Sequence, residues 1–487
     1  MPLMTLKQAF TLDTRSLALC RMGLGAILCT DALLRTRDFT LMFAPDGMFP
    51  PDLVARSTGA GAWSVAMLLD ASWWGGIVLA SEGIAGACLA AGAATRWATV
   101  IAWVALVSVL RRTPLATNAG DFWLATLLLW SIFLPLGAAW SVDARRSRRR
   151  QPVSPKAAAI VSWGTVSFVL QIVAVYISAG AAKCNESWWS GDAVAQALSV
   201  HDHGTRLGAW LASMPWLTRC LTWATMALET LGPLLLLACP RPAVRLAIVA
   251  SFILFHLAIC GVMTVGLFGY LGMAVWLALI PSAAWAWLGL PPAANVIAGF
   301  RARGSSLCVS LLAIAIIAFV HDNTSWRGQR LPPALDRLVN GLCLHQSWGM
   351  FGSVPRQQQW VYTRAALTDG RIVDVLRGGR PVETEQPTDG FLSLPNHRWH
   401  RLFWELPRPA HMPFAPSVAA ALVRKWNAAH GVDGQIVSME LRFARLGTAA
   451  TDDTLLDHLL AAWPPRDATG AGNLDRLLQE GPSGRVD

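Results

Sequence analysis

The stretch "IVSWGTVSFVLQIVAVYIS" (160–178) runs directly into "AGAAKCNESWWSG" (179–191). The first part carries no formal charge and is long enough, at about 1.5 Å per helical residue, to cross a hydrocarbon core of about 30 Å. The second part places Lys183 at the mouth of that apolar run, ahead of Trp188 and Trp189. An ammonium is costly inside hydrocarbon, so an ionisable residue there is a functional candidate by default. The competing reading is a lysine that lifts its charge into the headgroups, with the tryptophans as interfacial anchors.

The whole chain repeats this pattern. Of its 487 residues 54% are hydrophobic and only 14% are charged, against about a quarter charged in soluble proteins. Spans are expected near 16–34, 73–94, 96–110, 121–140, 158–182, 217–238, 243–265, 267–288 and 304–320. The third is short and the eighth runs into "PSAAWAWLGLPPAAN", so eight or nine transmembrane helices are expected. No cleavable signal peptide is evident in the first twenty residues.

The net charge of +10 lies in loops between the spans, a pattern that points to membrane orientation and away from a nucleic-acid partner. "ARRSRRRQPVSPK" (144–156) is the strongest basic loop and is expected to be cytoplasmic. Counting from it puts the N-terminus inside an inner (plasma) membrane, and Lys183 and everything beyond residue 320 outside. Arg111 and Arg112 dissent, because they fall on the outer side. The nine cysteines include no CxxC pair and no zinc spacing, and Cys184 with Cys343 is a candidate disulfide pair.

From residue 321 the composition becomes that of a soluble module. "WVYTRAALTDGRIVDVL" (360–376) reads as two strands about an Asp-Gly turn, and "SVAAALVRKWNAAHG" (417–431) as a helix stopped by Gly431. "QIVSMELRFARL" (435–446) alternates, with Val437, Met439, Leu441 and Phe443 on one face. "DDTLLDHLLAAW" (452–463) reads as a short helix. The expected fold is therefore an all-α polytopic membrane bundle (1–320) followed by a small extracytoplasmic α+β domain (321–487).

Polar residues in or beside the spans are Asp31, Glu82, Asp121, Lys183, Glu229 and His256. Each has a structural alternative, hydrogen bonding between helices. Lys183 stands out because a lysine in an apolar pocket loses charge stabilisation and becomes a base, and because Glu229 and His256 come from later spans and can converge on it. "HDH" (201–203) lacks a matching carboxylate or cysteine and reads as a polar loop, so no metal is expected. Asn185 and Asn323 open two glycosylation acceptor motifs.

An ordered set of motifs then suggests a family. "TNAGDFWLATLLLW" (117–130), "WSVDARRSRRR" (140–150), "VYISAGAAKCNESWWSG" (175–191), "ALETLGPLLLL" (227–237) and "LFHLAICGVMTVGLFGYLGM" (254–273) resemble the vitamin K-dependent gamma-carboxylase relatives, which share the horizontally transferred transmembrane (HTTM) domain. The resemblance covers most of residues 10–290, and "QSWGMFGSVP" (346–355) also looks like bacterial members. It implies that Lys183 deprotonates reduced vitamin K or another quinol in a membrane pocket. Oxygen then turns the quinol into a strong base that removes a glutamate gamma proton before carbon dioxide adds. His256 and Asn118 would orient that pocket, and Phe268, Tyr270, Tyr176 and Trp188 would contact the quinone. The chain departs from the family at Asn118-Ala119, where the carboxylases carry Asn-His, and in its single lysine, where animal enzymes have two.

Three functions follow as expectations. The first is a quinol-driven enzyme acting on a secreted polypeptide. The second is a non-carboxylating maturation or export factor for such a partner. The third is a quinone- or lipid-binding protein without turnover. All three place the chain in a lipid bilayer.

Overall fold

The computed structural model describes residues 6–150, 158–199, 204–293, 295–301, 304–324, 328–352, 357–387, 393–447 and 455–465. "HDH" and the C-terminal tail lie outside the described residues. The bundle is built from α1 (Thr14–Thr36), α2 (Ser72–Ala91), α3 (Thr95–Arg112), α4 (Ala119–Ser131), α5 (Trp163–Ala182), α6 (Pro215–Ala238), α7 (Pro242–Val262), α8 (Phe268–Leu277) and α9 (Ser305–Asn323). Six of them, α1, α2, α5, α6, α7 and α9, are long and apolar enough to cross a membrane. This is a multi-pass membrane protein.

Against the expected eight or nine spans, α3, α4 and α8 are not long and apolar enough in themselves, for local reasons. Helix α3 carries Arg96, Arg111 and Arg112. Helix α4 has 13 residues, about 20 Å at 1.5 Å per residue, and the chain beyond it turns through Pro135 and Gly137. Helix α8 has 10 residues, and Pro281 precedes a separate turn, Ala284–Trp287.

The bundle region is not purely helical either. Residues 158–161, expected as the start of a span, form strand β2 (Ala158–Val161), which lies between β1 (Leu12–Asp13) and β3 (Asn295–Ala298). Helix α5 starts only at Trp163. There Ser162 and Thr165 exchange side-chain and backbone hydrogen bonds in a reciprocal cap, which satisfies amide groups the first turn leaves open.

Arg111 and Arg112, the dissenters from the charge rule, are spent on backbone carbonyls. Arg112 donates to the carbonyls of Phe43 (2.8 Å) and Phe49 (2.5 Å), and Arg111 to that of Asn340 (2.7 Å). Arg21, inside α1, similarly closes the other end of the bundle by donating to the carbonyls of Ala90 (2.7 Å) and Trp140 (2.8 Å).

The C-terminal module has a five-stranded antiparallel sheet in the order β6-β5-β4-β7-β8. Its strands are β4 (Gln357–Leu367), β5 (Ile372–Asp374), β6 (Arg380–Pro381), β7 (Ile436–Gly447) and β8 (Leu455–Trp463). The hairpin at Asp369-Gly370 is as expected, with Gly370 at a φ of +84°, a conformation that favours glycine. The expected helix over 452–463 is instead β8, paired with β7 from Leu455 to Trp463, since the otherwise open edge of β7 supplies a row of unpaired backbone groups. Met439, Leu441 and Phe443 face the core, whereas Val437 is exposed.

One face of the sheet is covered by α10 (His397–Glu405) and α11 (Ala415–Ala429), through Trp399, Leu402, Val418 and Leu422. This core is continuous with the bundle: the same cluster includes Phe43, Phe49, Val78 and Val109, and the Phe49 and Phe414 rings meet edge to face at 5.9 Å.

The junction is also electrostatic. Arg398, on the first turn of α10, is buried and donates to both carboxylate oxygens of Asp121 (3.0 and 3.1 Å), to the Ala116 carbonyl (2.8 Å) and to Asp31. Asp31 also accepts from Arg35 at 2.9 Å. Asp38, just past α1, accepts from Asn396 and from the Trp399 indole, both at 2.8 Å. Burial works against the Arg398 charge, but the two carboxylates outweigh it and hold the guanidinium pKa above its ordinary value.

Candidate functional site

Lys183 closes the C-terminal end of α5, its backbone amide donating to the Gly180 carbonyl at 3.1 Å. Its side chain does not reach toward solvent. The residue is 4% exposed, and its Nζ forms an ion pair with Glu229 of α6 at 2.7 Å. The same nitrogen donates to the carbonyls of Ala179 (3.2 Å) and Met350 (3.3 Å) and lies 5.1 Å from the Trp188 ring centroid. The snorkelling alternative is therefore excluded by geometry.

Small residues make this convergence possible. Helices α5 and α6 approach so closely at Gly180 that an added Cβ would lie 2.6 Å from Thr230 Cγ2 and 3.1 Å from its backbone nitrogen. Such contacts depend on a residue without a side chain. Gly180→Ala is expected to push the two helices apart and lower stability by about 1–3 kcal/mol, the usual cost of overpacking. Thermal unfolding of the purified protein checks it, and an unchanged melting temperature would refute the tight contact.

A lid from the segment after α9 covers the lysine. Residues 350–352 present three consecutive carbonyls: Met350 to Lys183, Phe351 to the Trp188 indole (2.8 Å) and Gly352 to the Asn185 amide (2.6 Å). Deeper in, Gln346 accepts from Gln171 (2.8 Å) and from the Trp348 indole (3.1 Å) and donates to Thr126 (2.6 Å). Both glycosylation-motif asparagines are engaged here: Asn185 as above, and Asn323 through the Gln346 carbonyl and the Trp348 amide, each at 2.8 Å. Ser325 of the second motif lies outside the described residues. Cys184 and Cys343 are free thiols, the first exposed and the second buried.

Two turns before Lys183 on the same face of α5, Tyr176 is hydrogen-bonded to His256 Nε2 of α7 at 2.5 Å. The His256 ring lies flat against Gly272, where a Cβ would be 2.4 Å from two ring atoms. Around this pair the aromatics form one cluster. Phe252 stacks on Trp276 at 3.8 Å, Phe268 lies 5.7 Å from His256, and Trp123 contacts Tyr176, Phe268 and Trp348 at 5.6–6.0 Å.

The structure thus brings together Lys183 with Trp188, and Tyr176 with His256 and Phe268. Tyr270 does not join them and is 52% exposed. Asn118 caps α4, accepting from the Asp121 amide at 3.2 Å while its own amide donates to Asp121 at 2.8 Å. Its residue lines a separate cavity of about 500 Å³ between the bundle end and the C-terminal module. Phe122 and Trp348 form an aromatic wall of that cavity, and Arg401, Arg408 and His411 a charged one. Nothing in the amino-acid order marks Trp123 and Trp348 as members of this cluster, whereas the Asn-capped, Arg- and Trp-rich run "NHRWHRLFWE" marks the α10 arginines.

On the charged wall Glu405 pairs with Arg401 (2.5 Å), Arg408 (3.2 Å) and His411 (3.3 Å). The hydrogen bond to Glu405 raises the His411 pKa above its ordinary 6.5. Burial opposes the Glu405 charge, but His411 and the two arginines outweigh it and hold that carboxyl below its ordinary 4.5. A raised histidine contributes fully below its unfolded pKa and loses the contribution as pH rises through the folded one. A depressed carboxyl contributes above its unfolded pKa and loses it as pH falls through the folded one. The pair therefore stabilises most between about pH 4.5 and 6.5. The melting-temperature gap between wild type and His411→Ala is expected to be widest there and narrower at pH 8; a gap independent of pH would refute the pairing.

Among the described residues no group of three or more His, Cys, Asp or Glu side chains is placed to hold a metal ion. Residues 64–285 match the HTTM domain family. The match takes in Tyr176, Lys183, Glu229, His256 and Phe268 and stops short of the C-terminal module. No curated protein and no solved structure matches the chain.

Proposed function

We propose that this HTTM-domain membrane protein is an enzyme of the vitamin K-dependent carboxylase type, with Lys183 as the base that deprotonates a lipid-soluble quinol. The observation that carries the reading is the buried Lys183–Glu229 pair at 2.7 Å, set two turns from the buried Tyr176–His256 pair. Placing two ions where water is scarce is costly. A proton that passes from Lys183 Nζ to Glu229 replaces them with a neutral amine and a neutral acid, leaving a free lone pair on the nitrogen. Glu229 then serves as the place where that proton is held.

An aromatic quinol is the ligand this reading assigns to the aromatic cluster, supported by its ring chemistry. The Trp123, Phe268 and Trp348 rings are in mutual contact, and Trp348 continues into the wall of the 500 Å³ cavity, a size within the usual range for small-molecule sites. These rings would hold the quinone head, which with oxygen supplies the strong base for carboxylation of a polypeptide glutamate. The lid at 350–352 keeps bulk water from Lys183. In this reading the chain spans an inner membrane with its N-terminus cytoplasmic and its C-terminal module outside, and α3, α4 and α8 complete eight or nine crossings.

A second reading, a maturation or export factor, draws on the Met350 contact. There Lys183 and Glu229 fasten the 350–352 segment to the bundle, and the C-terminal module receives the partner. The deciding experiment is epoxide formation from reduced vitamin K by purified protein with oxygen and bicarbonate. Wild type is expected to form epoxide and Lys183→Ala to lose at least about a hundredfold, as for removal of a general base. Folded wild type that forms none, or a mutant that keeps the activity, would refute the enzyme reading.

A further inference from the structure

The charged wall of the cavity is a site in its own right. Arg111, Arg401 and Arg408 line it together with two carboxylates, Asp322 and Glu405, and those carboxylates are already engaged. Asp322 accepts from His345 (3.0 Å), from His321 (2.9 Å) and from the Gln346 amide (2.9 Å). Glu405 is shared by Arg401, Arg408 and His411. Arg111 has no carboxylate among its described contacts: its Nη2 donates to the Asn340 carbonyl, while its buried Nε has no hydrogen-bond partner.

Guanidinium donors therefore outnumber the acceptors that face them. Arg401 is held in place by a second bond, from its Nε to the Thr117 carbonyl at 3.0 Å, so its fork is fixed from the C-terminal module onto the start of α4. The first turn of α4, at Asn118 and Ala119, forms part of the same wall. Donors preset around an open volume of about 500 Å³ suit a planar or tetrahedral oxyanion, which arginine binds through paired hydrogen bonds.

We propose that this cavity is an oxyanion-binding site in which Arg401, Arg408 and Arg111 receive a carboxylate or phosphate group. The site shares its cavity with the aromatic wall at Trp348 but makes no use of Lys183, and its ligand comes either from solution or as the phosphate headgroup of an anionic lipid at the bundle end.

The test uses the full-length protein and two probes. Inorganic phosphate is titrated against protein in neutral detergent and followed by broadening of its phosphorus resonance. In parallel, nanodiscs of phosphatidylcholine with or without phosphatidylglycerol report retained anionic lipid by native mass spectrometry. Arg408→Gln, whose side chain is largely exposed, keeps the fold and is expected to weaken binding about tenfold. Arg401→Gln together with Arg408→Gln is expected to weaken it by a hundredfold or more, as for loss of charge-assisted hydrogen bonds. Arginine-dependent binding in the phosphate arm alone assigns a soluble oxyanion, and in the nanodisc arm a lipid headgroup. No binding in either arm, or binding equal in wild type and both variants, overturns the site. Epoxide formation plays no part in these readouts, so the outcome is separable from that of the Lys183 reading.

Discussion

Arg398→Ala is expected to release the C-terminal module from the bundle and to lower stability by about 3–5 kcal/mol, the cost of leaving buried partner charges unpaired. The reason lies in what the guanidinium satisfies. It is buried between Asp31 of α1 and Asp121 of α4, and it also holds the Ala116 carbonyl. Deleting it strands two carboxylates that α1, α4 and α10 seal from water. Arg35 still reaches Asp31 at 2.9 Å, so the larger penalty falls on Asp121. Hydrogen exchange over residues 397–447 and thermal unfolding would read the effect. Asp121→Asn added to Arg398→Met should recover much of the loss, because Asp31 keeps Arg35 as its counter-ion and no buried charge is then left unpaired. Equal destabilisation with and without the added substitution would show that shape, rather than charge, holds the junction.

The second large effect is expected at Glu229. Glu229→Gln leaves Lys183 with the Ala179 and Met350 carbonyls and the Trp188 face, but with no counter-ion in the described contacts. If the ammonium keeps its proton, the protein loses about 3–5 kcal/mol; in either state it loses the acceptor that takes that proton, and with it epoxide formation by at least about a hundredfold. Lys183→Met in the same background should restore stability and leave turnover absent. A double-mutant cycle on stability then gives the coupling between the two groups. A coupling near zero would mean that the 2.7 Å contact does not persist in solution, and both readings of Lys183 would need another basis.

These two clusters differ in how far the amino-acid order foretold them. Asp31, Asp121, Lys183, Glu229 and His256 are each conspicuous as polar residues in apolar surroundings, because hydrocarbon makes any such group expensive. Arg398 is not. It sits in a soluble stretch of mixed charge, where an arginine is ordinary, and becomes exceptional only when α10 carries it into the bundle. The helix expected at 452–463 failed for a related reason. "LLDHLLAAW" supports a helix by composition, and the open edge of β7 made it a strand.

Sequence by itself determined the membrane class, the Asp369-Gly370 hairpin and the short list of intramembrane polar residues, since apolar length, turn chemistry and buried charge are local properties. Tertiary structure alone decided which of those residues are partners. It turned Lys183 inward to Glu229 through the glycine contact at Gly180, laid the 350–352 carbonyls over it, left Tyr270 outside the aromatic cluster and made six of the apolar segments long helices. Pairing across about 46 residues, or nearly 370 in the case of Asp31 and Arg398, depends on which helix faces come into contact. That is a property of the packed chain and not of any window along it.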